Sequence, residues 1–99
     1  MTYLHVKWRH DMPNQPTDIY TELDDERWET RKVEVFADGR IQYSDGVDST
    51  GNTDLSDVQA PTAQEAPDSA VLTTTEIDEA TFEHMWNLAR SWGGDQPKS

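Results

Sequence analysis

An Asp-Gly pair at residues 38 and 39 constrains this chain more than any other feature of its sequence. It lies between two short runs that are rich in β-branched and aromatic residues, VEVF and RIQY. Glycine reaches a positive φ without steric cost, so Asp-Gly between two such runs predicts a tight β-hairpin. We therefore expect the stretch from Tyr20 to Asp45 to form the centre of a sheet.

Two registers are open to this hairpin, and they sort the side chains differently. A two-residue loop would place Phe36 opposite Ile41 and would mix apolar and polar groups on both faces. A three-residue loop, with Gly39 as a G1 bulge, would pair Val35 with Ile41. Because a one-residue slip sends every side chain to the other face, the register that separates apolar from polar residues is favoured. The sequence thus predicts a three-residue loop and an apolar face made of Val33, Val35, Ile41 and Tyr43.

The same alternation predicts two large aromatic residues on the opposite face. If the strand has no bulge, Trp28 and Phe36 point outward together with Thr30, Lys32 and Glu34. One interpretation is that another part of the chain, such as a C-terminal helix, covers them. The other is a partner-binding surface, because aromatic residues ringed by charges resemble a binding hot spot with a polar rim.

Three further segments have the pattern of strands. Residues 2–10 alternate as expected of a strand with one buried side, and the apolar set is Leu4, Val6 and Trp8. Residues 18–23 alternate in the same way, and residues 71–77 are rich in β-branched side chains.

An amphipathic helix is predicted near the C-terminus. Asp78 occupies an N-cap position, and Glu79 follows in the first turn. One helical stripe is then formed by Phe82, Met85, Trp86, Ala89 and Trp92. His84 falls off this stripe and is expected to be exposed. Gly93-Gly94 is expected to end the helix, and residues 93–99 are expected to form a frayed tail.

Residues 46–70 are small, polar and acidic. Such a stretch cannot offset its ordering entropy by burial, so we expect a mobile acidic loop or a segment that orders on a partner. The chain is then a single α+β domain over residues 1–92. Its predicted fold is a four- to five-stranded antiparallel meander with the C-terminal helix packed on it.

The charge of the chain limits its partners. It has 20 acidic and 8 basic residues in 99, a formal net charge of −12. Such a field opposes contact with nucleic-acid phosphates and acidic membranes and favours basic proteins, although a solubilising surface or a salt-rich cytoplasm explains it equally well. The absence of cysteine fits a reducing compartment, and residues 1–11 lack the apolar core of a leader, so a cytoplasmic location is expected.

No motif in the chain points to a particular chemistry. The three histidines, at positions 5, 10 and 84, are far apart, and no metal site or cofactor is predicted. The row His5, Lys7 and Arg9 fits a solvated face that pairs with carboxylates, or else an anion site. His10-Asp11 fits a structural turn or, alternatively, a ligand or catalytic role.

Three segments resemble a known group of small bacterial domains that is frequent in actinomycetes. They are HDMPNQP at residues 10–16, YTELDDERWETRKVEVFADGR at 20–40 and EIDEATFEHMW at 76–86. The group shares an H-D-x-P-x-x-P turn, a Y-x-E-L-D segment followed by R-W-E-x-R-K-V-E-x-F-x-D-G-R, and a late F-E-x-x-W. The resemblance implies the domain limits. It carries no established activity and therefore no catalytic residue.

Size, charge and the lack of a catalytic motif favour a small acidic, non-enzymatic interaction protein. Its expected partner is a basic protein, as for an immunity protein, an antitoxin or a phage-type inhibitor that imitates nucleic-acid charge, and not a nucleic acid or a membrane. The candidate contact residues are Asp24, Asp25, Glu26, Trp28, Glu29 and Phe36. The alternative is a small ligand-binding or catalytic domain that uses the sheet face near His5, Arg9, His10 and Asp11.

Overall fold

A computed structural model describes residues 1–12, 15–46, 49 and 72–91 of the chain. The elements are β1 (Thr2–Trp8), β2 (Asp18–Leu23), β3 (Glu29–Val35), β4 (Ile41–Ser44), β5 (Leu72–Ile77) and α1 (Glu79–Ser91). The strands form one antiparallel sheet in the order β4-β3-β2-β1-β5. This confirms the predicted α+β fold, with four strands in a meander and a fifth added beside the first.

Several predictions concern segments outside the described residues. These are the acidic loop at residues 46–70, apart from Gly46 and Ser49, the stop at Gly93-Gly94, the tail at 93–99 and the packing of Trp92.

The hairpin between β3 and β4 has the predicted three-residue loop. Val35 pairs with Ile41 and Val33 pairs with Tyr43. The N–H group of Phe36 donates to the carbonyl of Arg40, and the N–H group of Gly39 donates back to the carbonyl of Phe36. Gly39 has a φ of +95°, as a G1 bulge requires.

The helix lies on the valine face of this hairpin. Val33 is fully buried against Phe82 and Trp86, and Tyr43 contacts Trp86 edge-to-face at 5.2 Å. The interpretation that the helix covers Trp28 and Phe36 is therefore wrong. The valine face presents a continuous apolar row to the helix, whereas the other face carries Lys, Glu and Gln side chains beside its aromatic residue.

The first strand also turns its main core residue toward the helix. Tyr3 is buried and lies 5.3 Å from Phe82 between ring centroids, whereas the apolar set Leu4, Val6 and Trp8 is only half-buried. Alternation identified the two faces of β1 but favoured the wrong one, because the ring of Tyr3 has a large apolar area that its polar hydroxyl hides in the pattern.

The start of β3 contains the irregularity that would break its alternation. Glu22 pairs with Arg31, but Leu23 pairs with Glu29, so Thr30 is an extra residue on β3. The alternation that places Phe36 and Glu34 on one face therefore does not extend back to Trp28.

The helix begins and packs as its sequence pattern indicates. The carboxylate of Asp78 accepts a 2.8 Å hydrogen bond from the N–H group of Thr81, which confirms the predicted N-cap. Along the stripe, Phe82, Trp86 and Ala89 are buried, while His84 is exposed.

Candidate functional site

The turn between β2 and β3 is closed by the side chain of Asp24. Its Oδ1 accepts 2.9 Å hydrogen bonds from the backbone N–H groups of Glu26 and of Trp28. Backbone hydrogen bonds also join Asp24 to Trp28 and to Arg27, whose φ is +66°. A non-glycine residue in the left-handed region persists only where neighbouring bonds over-determine it. The turn therefore has one well-defined shape, which the hydrogen bonds to Asp24 hold.

This turn presents a large aromatic side chain together with carboxylates. Trp28 is 39% exposed, the side chain of Asp25 is 97% exposed, and Glu26 is exposed as well. The amino group of Met1 lies 3.7 Å from Asp25, but an ion pair this exposed contributes little. The tip of the turn thus combines an apolar anchor with negative charge.

The start of the helix adds carboxylates to the same end of the sheet. Thr2 pairs with Leu23 and Tyr3 pairs with Ile77, so the β2–β3 turn and the β5–α1 junction flank the first residues of β1. Two strand spacings, about 10 Å, separate them. We call this surface, with Trp28, the acidic end. Its exposed carboxylates are Asp25, Glu26, Glu76, Asp78 and Glu79.

Two of the predicted contact residues are not exposed on this surface. Glu29 forms a 3.0 Å ion pair with Lys32, and both side chains are largely buried. Phe36 is only 7% exposed and adjoins the β3–β4 turn at the opposite end of the sheet, where the guanidinium of Arg40 lies 4.4 Å from its ring centroid. Neither side chain is part of the acidic end.

An ion-pair network beneath the acidic end joins the helix to the sheet. Arg31 donates from Nε and Nη2 to the two oxygens of Glu22, at 2.8 and 2.7 Å. Its guanidinium also pairs with Glu83 of α1 and lies 4.9 Å from the ring centroid of Phe82. The single positive charge of Arg31 offsets one of these two carboxylate charges, so the network keeps one net negative charge.

The pKa values in this network favour a structural role. Hydrogen bonds from Arg31, and then from Thr30 and Tyr3, outweigh burial and lower the pKa of Glu22 to about 2. Burial, followed by the effect of Glu22, raises the pKa of Tyr3 to about 12. Both groups keep their ordinary ionisation state at neutral pH, so neither is poised to exchange a proton there.

The alternative site predicted near His5, Arg9, His10 and Asp11 does not form one cluster, because His5 and His10 have different hydrogen-bond partners. His10 uses both ring nitrogens inside the β1–β2 connection: Nε2 lies 2.7 Å from the carbonyl oxygen of Pro16, and Nδ1 accepts from the N–H group of Met12 at 3.0 Å. This geometry matches the structural-turn interpretation of His10-Asp11. Asp11 itself is exposed.

His5 instead belongs to a cluster on β1 and β2. Its Nε2 lies 2.7 Å from Oδ1 of Asp18, and Nζ of Lys7 lies 3.5 Å from the same oxygen. The predicted pairing of this basic row with a carboxylate is confirmed for these two residues. The ring of His5 stacks on Tyr20 at 4.4 Å. Sequence reasoning missed Asp18 and Tyr20 because only the β1–β2 register, which alternation does not define, sets them opposite Lys7 and His5.

Two general features of the described residues bear on the kind of site this is. Within the described ranges, no three His, Asp or Glu side chains are grouped so as to hold a metal ion. The helix in that part of the chain, α1, has 13 residues and is too short and too polar to cross a bilayer.

Comparison with known proteins identifies a family. No curated protein and no solved structure matches the chain significantly. A family described as a domain of unknown function, DUF6881, matches residues 2–91. That match runs from the first strand to the end of α1, so the chain belongs to the DUF6881 family.

Proposed function

We propose that this protein is a small acidic interaction domain that binds a basic protein partner through its acidic end, in the manner of an immunity protein, an antitoxin or a phage-type inhibitor. The observation that carries the proposal is the exposed Trp28 on a turn fixed by Asp24, with carboxylates on both sides of the first strand.

The turn has the physical properties of a binding hot spot. Tryptophan is enriched among the residues that dominate binding energy, because its ring fills a partner pocket and excludes water. Asp24 holds the backbone of the turn with two side-chain hydrogen bonds, so little ordering entropy is lost on association. An anchor of this kind contributes on the order of 2 kcal/mol or more to affinity.

The carboxylates supply the electrostatic part of the proposal. Asp25 and Glu26 flank the anchor from the turn, while Asp78 and Glu79 approach it from the start of the helix. A surface of one charge sign accelerates encounter with a partner of the opposite sign and repels nucleic acid. The matching partner surface is basic and contains a pocket that accepts an indole ring.

The first experiment identifies and measures the partner. Protein captured from a lysate by the wild-type chain is purified, and its Kd is measured by calorimetry at about 50 and 300 mM salt. We expect affinity to fall with added salt, since screening weakens interactions between exposed charges. An affinity that is indifferent to salt would contradict the electrostatic part of the proposal.

Paired variants then test the surface itself. Trp28→Ala is expected to raise Kd at least about thirtyfold, the equivalent of a 2 kcal/mol hot spot. Asp25→Asn is expected to raise it several-fold. Asp11→Asn makes the same charge change in the β1–β2 connection, at the other end of the sheet, and serves as the matched control. Equal effects of Asp25→Asn and Asp11→Asn would show that net charge, and not the acidic end, drives association.

A further inference from the structure

A second cluster of polar side chains lies on the helix-bearing face of the sheet, at the end away from the acidic end. Three donors converge on the carboxylate of Asp18. Nε2 of His5 lies 2.7 Å from Oδ1, and Nζ of Lys7 lies 3.5 Å from the same oxygen. The hydroxyl of Thr17 donates a 3.1 Å hydrogen bond to Oδ2. This cluster plays no part in the proposed contact with a protein partner.

The carboxylate fixes both the position and the tautomer of His5. An ionised carboxylate only accepts hydrogen bonds, so Nε2 carries the proton and Nδ1 of the neutral ring is left as an acceptor. Burial alone would raise the pKa of Asp18, but the hydrogen bonds from His5 and Thr17, together with the charge of Lys7, hold that pKa below its ordinary value. Stacking on Tyr20, with an interplanar angle of 4°, fixes the plane of the imidazole.

The second nitrogen of His5 is open to a ligand. In the described part of the chain, no protein group hydrogen-bonds Nδ1 of His5, and no side-chain nitrogen or oxygen there is buried without a partner. Nδ1 is therefore not fully buried, on a side chain that is 26% exposed. Such an acceptor is oriented in advance by Asp18 and Tyr20, as a binding group in a small-molecule site has to be.

The neighbouring groups supply donors. The side chain of Lys7 is 52% exposed, and its ammonium approaches the same carboxylate oxygen as His5, so the two side chains lie within the length of one small ligand. On β5, Thr75 pairs with His5 and Thr73 pairs with Lys7, which places both threonines on this face. The helix contacts β1 at Tyr3, and Tyr20 packs against the same core, so the cluster adjoins the helix on this face.

From this arrangement we infer a binding site for a small hydroxy acid. The ligand's hydroxyl donates to Nδ1 of His5, and its carboxylate rests on the ammonium of Lys7, beside the threonines of β5. A simple anion fits less well, because Asp18 already offsets much of the positive charge of Lys7 and an anion without a donor leaves Nδ1 of His5 unused.

The test uses two probes that differ in one group, L-lactate and pyruvate. Nitrogen NMR of the full chain at neutral pH first reads the tautomer of each histidine, and we expect the Nε2–H form for His5. Titration to about 100 mM then follows the shift of Nδ1. Lactate is expected to bind about fivefold more tightly than pyruvate, which lacks the hydroxyl donor. Equal affinity for the two acids, or no shift of His5 with either, would overturn the inference.

Variants separate this site from general acid binding. His5→Phe keeps a planar ring on Tyr20 and removes the acceptor, so it should abolish the preference for lactate. Lys7→Met should lower the affinity for both lactate and pyruvate. His84→Phe changes an exposed histidine on the helix and should leave both affinities unchanged. A lactate preference that survives in His5→Phe would refute the assignment. Because Trp28→Ala is expected to leave lactate binding unchanged, failure here and failure of the proposed protein contact are distinguishable.

Discussion

Arg31 binds Glu22 through two parallel hydrogen bonds of 2.8 and 2.7 Å, and Glu22 is only 8% exposed. The pair joins adjacent strands, and the same guanidinium extends the contact to Glu83 on the helix. A planar fork of donors matches a carboxylate in a way that a lysine ammonium cannot. The attachment of the helix to the sheet thus depends on one arginine and on the aromatic side chains around it.

Removing this arginine should destabilise the domain strongly. Arg31→Met leaves the carboxylate of Glu22 buried without its partner, and breaking such a pair costs about 3–5 kcal/mol. The free energy of unfolding from urea denaturation measures the loss. The matched control is Arg40→Met, because Arg40 also lies over an aromatic ring and pairs with a carboxylate but is more exposed. That variant should lose no more than about 1 kcal/mol. Equal losses in the two variants would contradict the role given to Arg31.

Acid should destabilise the fold through Glu22. Its pKa is about 2 in the folded chain against an ordinary value near 4.5, so the unfolded chain binds a proton first as the pH falls. The stabilisation is complete above about pH 4.5 and is lost between about pH 4.5 and 2, a contribution of about 3 kcal/mol. Chemical denaturation at a series of pH values measures this slope.

A matched pair of variants assigns that slope to its residue. Glu22→Gln should flatten it, while Glu76→Gln, which neutralises an exposed carboxylate on β5, should leave it unchanged. A slope of the same size in Glu22→Gln would show that other carboxylates cause the acid sensitivity.

Position 39 of the hairpin turn has room for a side chain, but its positive φ disfavours residues other than glycine. A Cβ built on Gly39 meets nothing within 4 Å, so the cost of Gly39→Ala comes only from its φ of +95°. We expect a loss of about 1–2 kcal/mol, measured by thermal unfolding. Gly39→Asn should lose less, because asparagine visits positive φ more readily. If Gly39→Ala is as stable as the wild type, backbone conformation does not limit this turn.

Local patterns predicted the parts of the fold that local chemistry decides. The Asp-Gly turn, the pairing of Val33 with Tyr43 and the cap at Asp78 each depend on residues close together in sequence. The face covered by the helix could not be predicted in this way, because both faces of the hairpin carry large apolar groups. That choice depends on Tyr3, which joins the hairpin only through the sheet.

The candidate sites depended on two further features that alternation does not contain. The extra residue at Thr30 is held by its hydroxyl, which donates to the side chain of Glu22 at 2.7 Å, and it separates Trp28 from the face of Phe36. The cluster at His5 requires the β1–β2 register, across a connection with no hairpin signal as strong as Asp-Gly. Residues on a turn were therefore predicted more fully than residues assembled across strands.

Two tryptophans should separate stability from binding. Trp86 is 7% exposed and packs between Phe82 and Tyr43, whereas Trp28 is 39% exposed on the acidic end. Trp86→Ala removes a buried ring and should lower the free energy of unfolding by about 3–5 kcal/mol, enough to unfold a domain of this size or weaken it severely. Trp28→Ala should lower it by less than about 1 kcal/mol, because substitutions away from the core have small effects. Guanidinium denaturation followed by circular dichroism measures both losses without relying on tryptophan fluorescence. A Trp86→Ala variant that melts like the wild type would refute the packing of α1. A Trp28→Ala variant that unfolds would mean that Trp28 belongs to the core and cannot serve as an anchor for a partner.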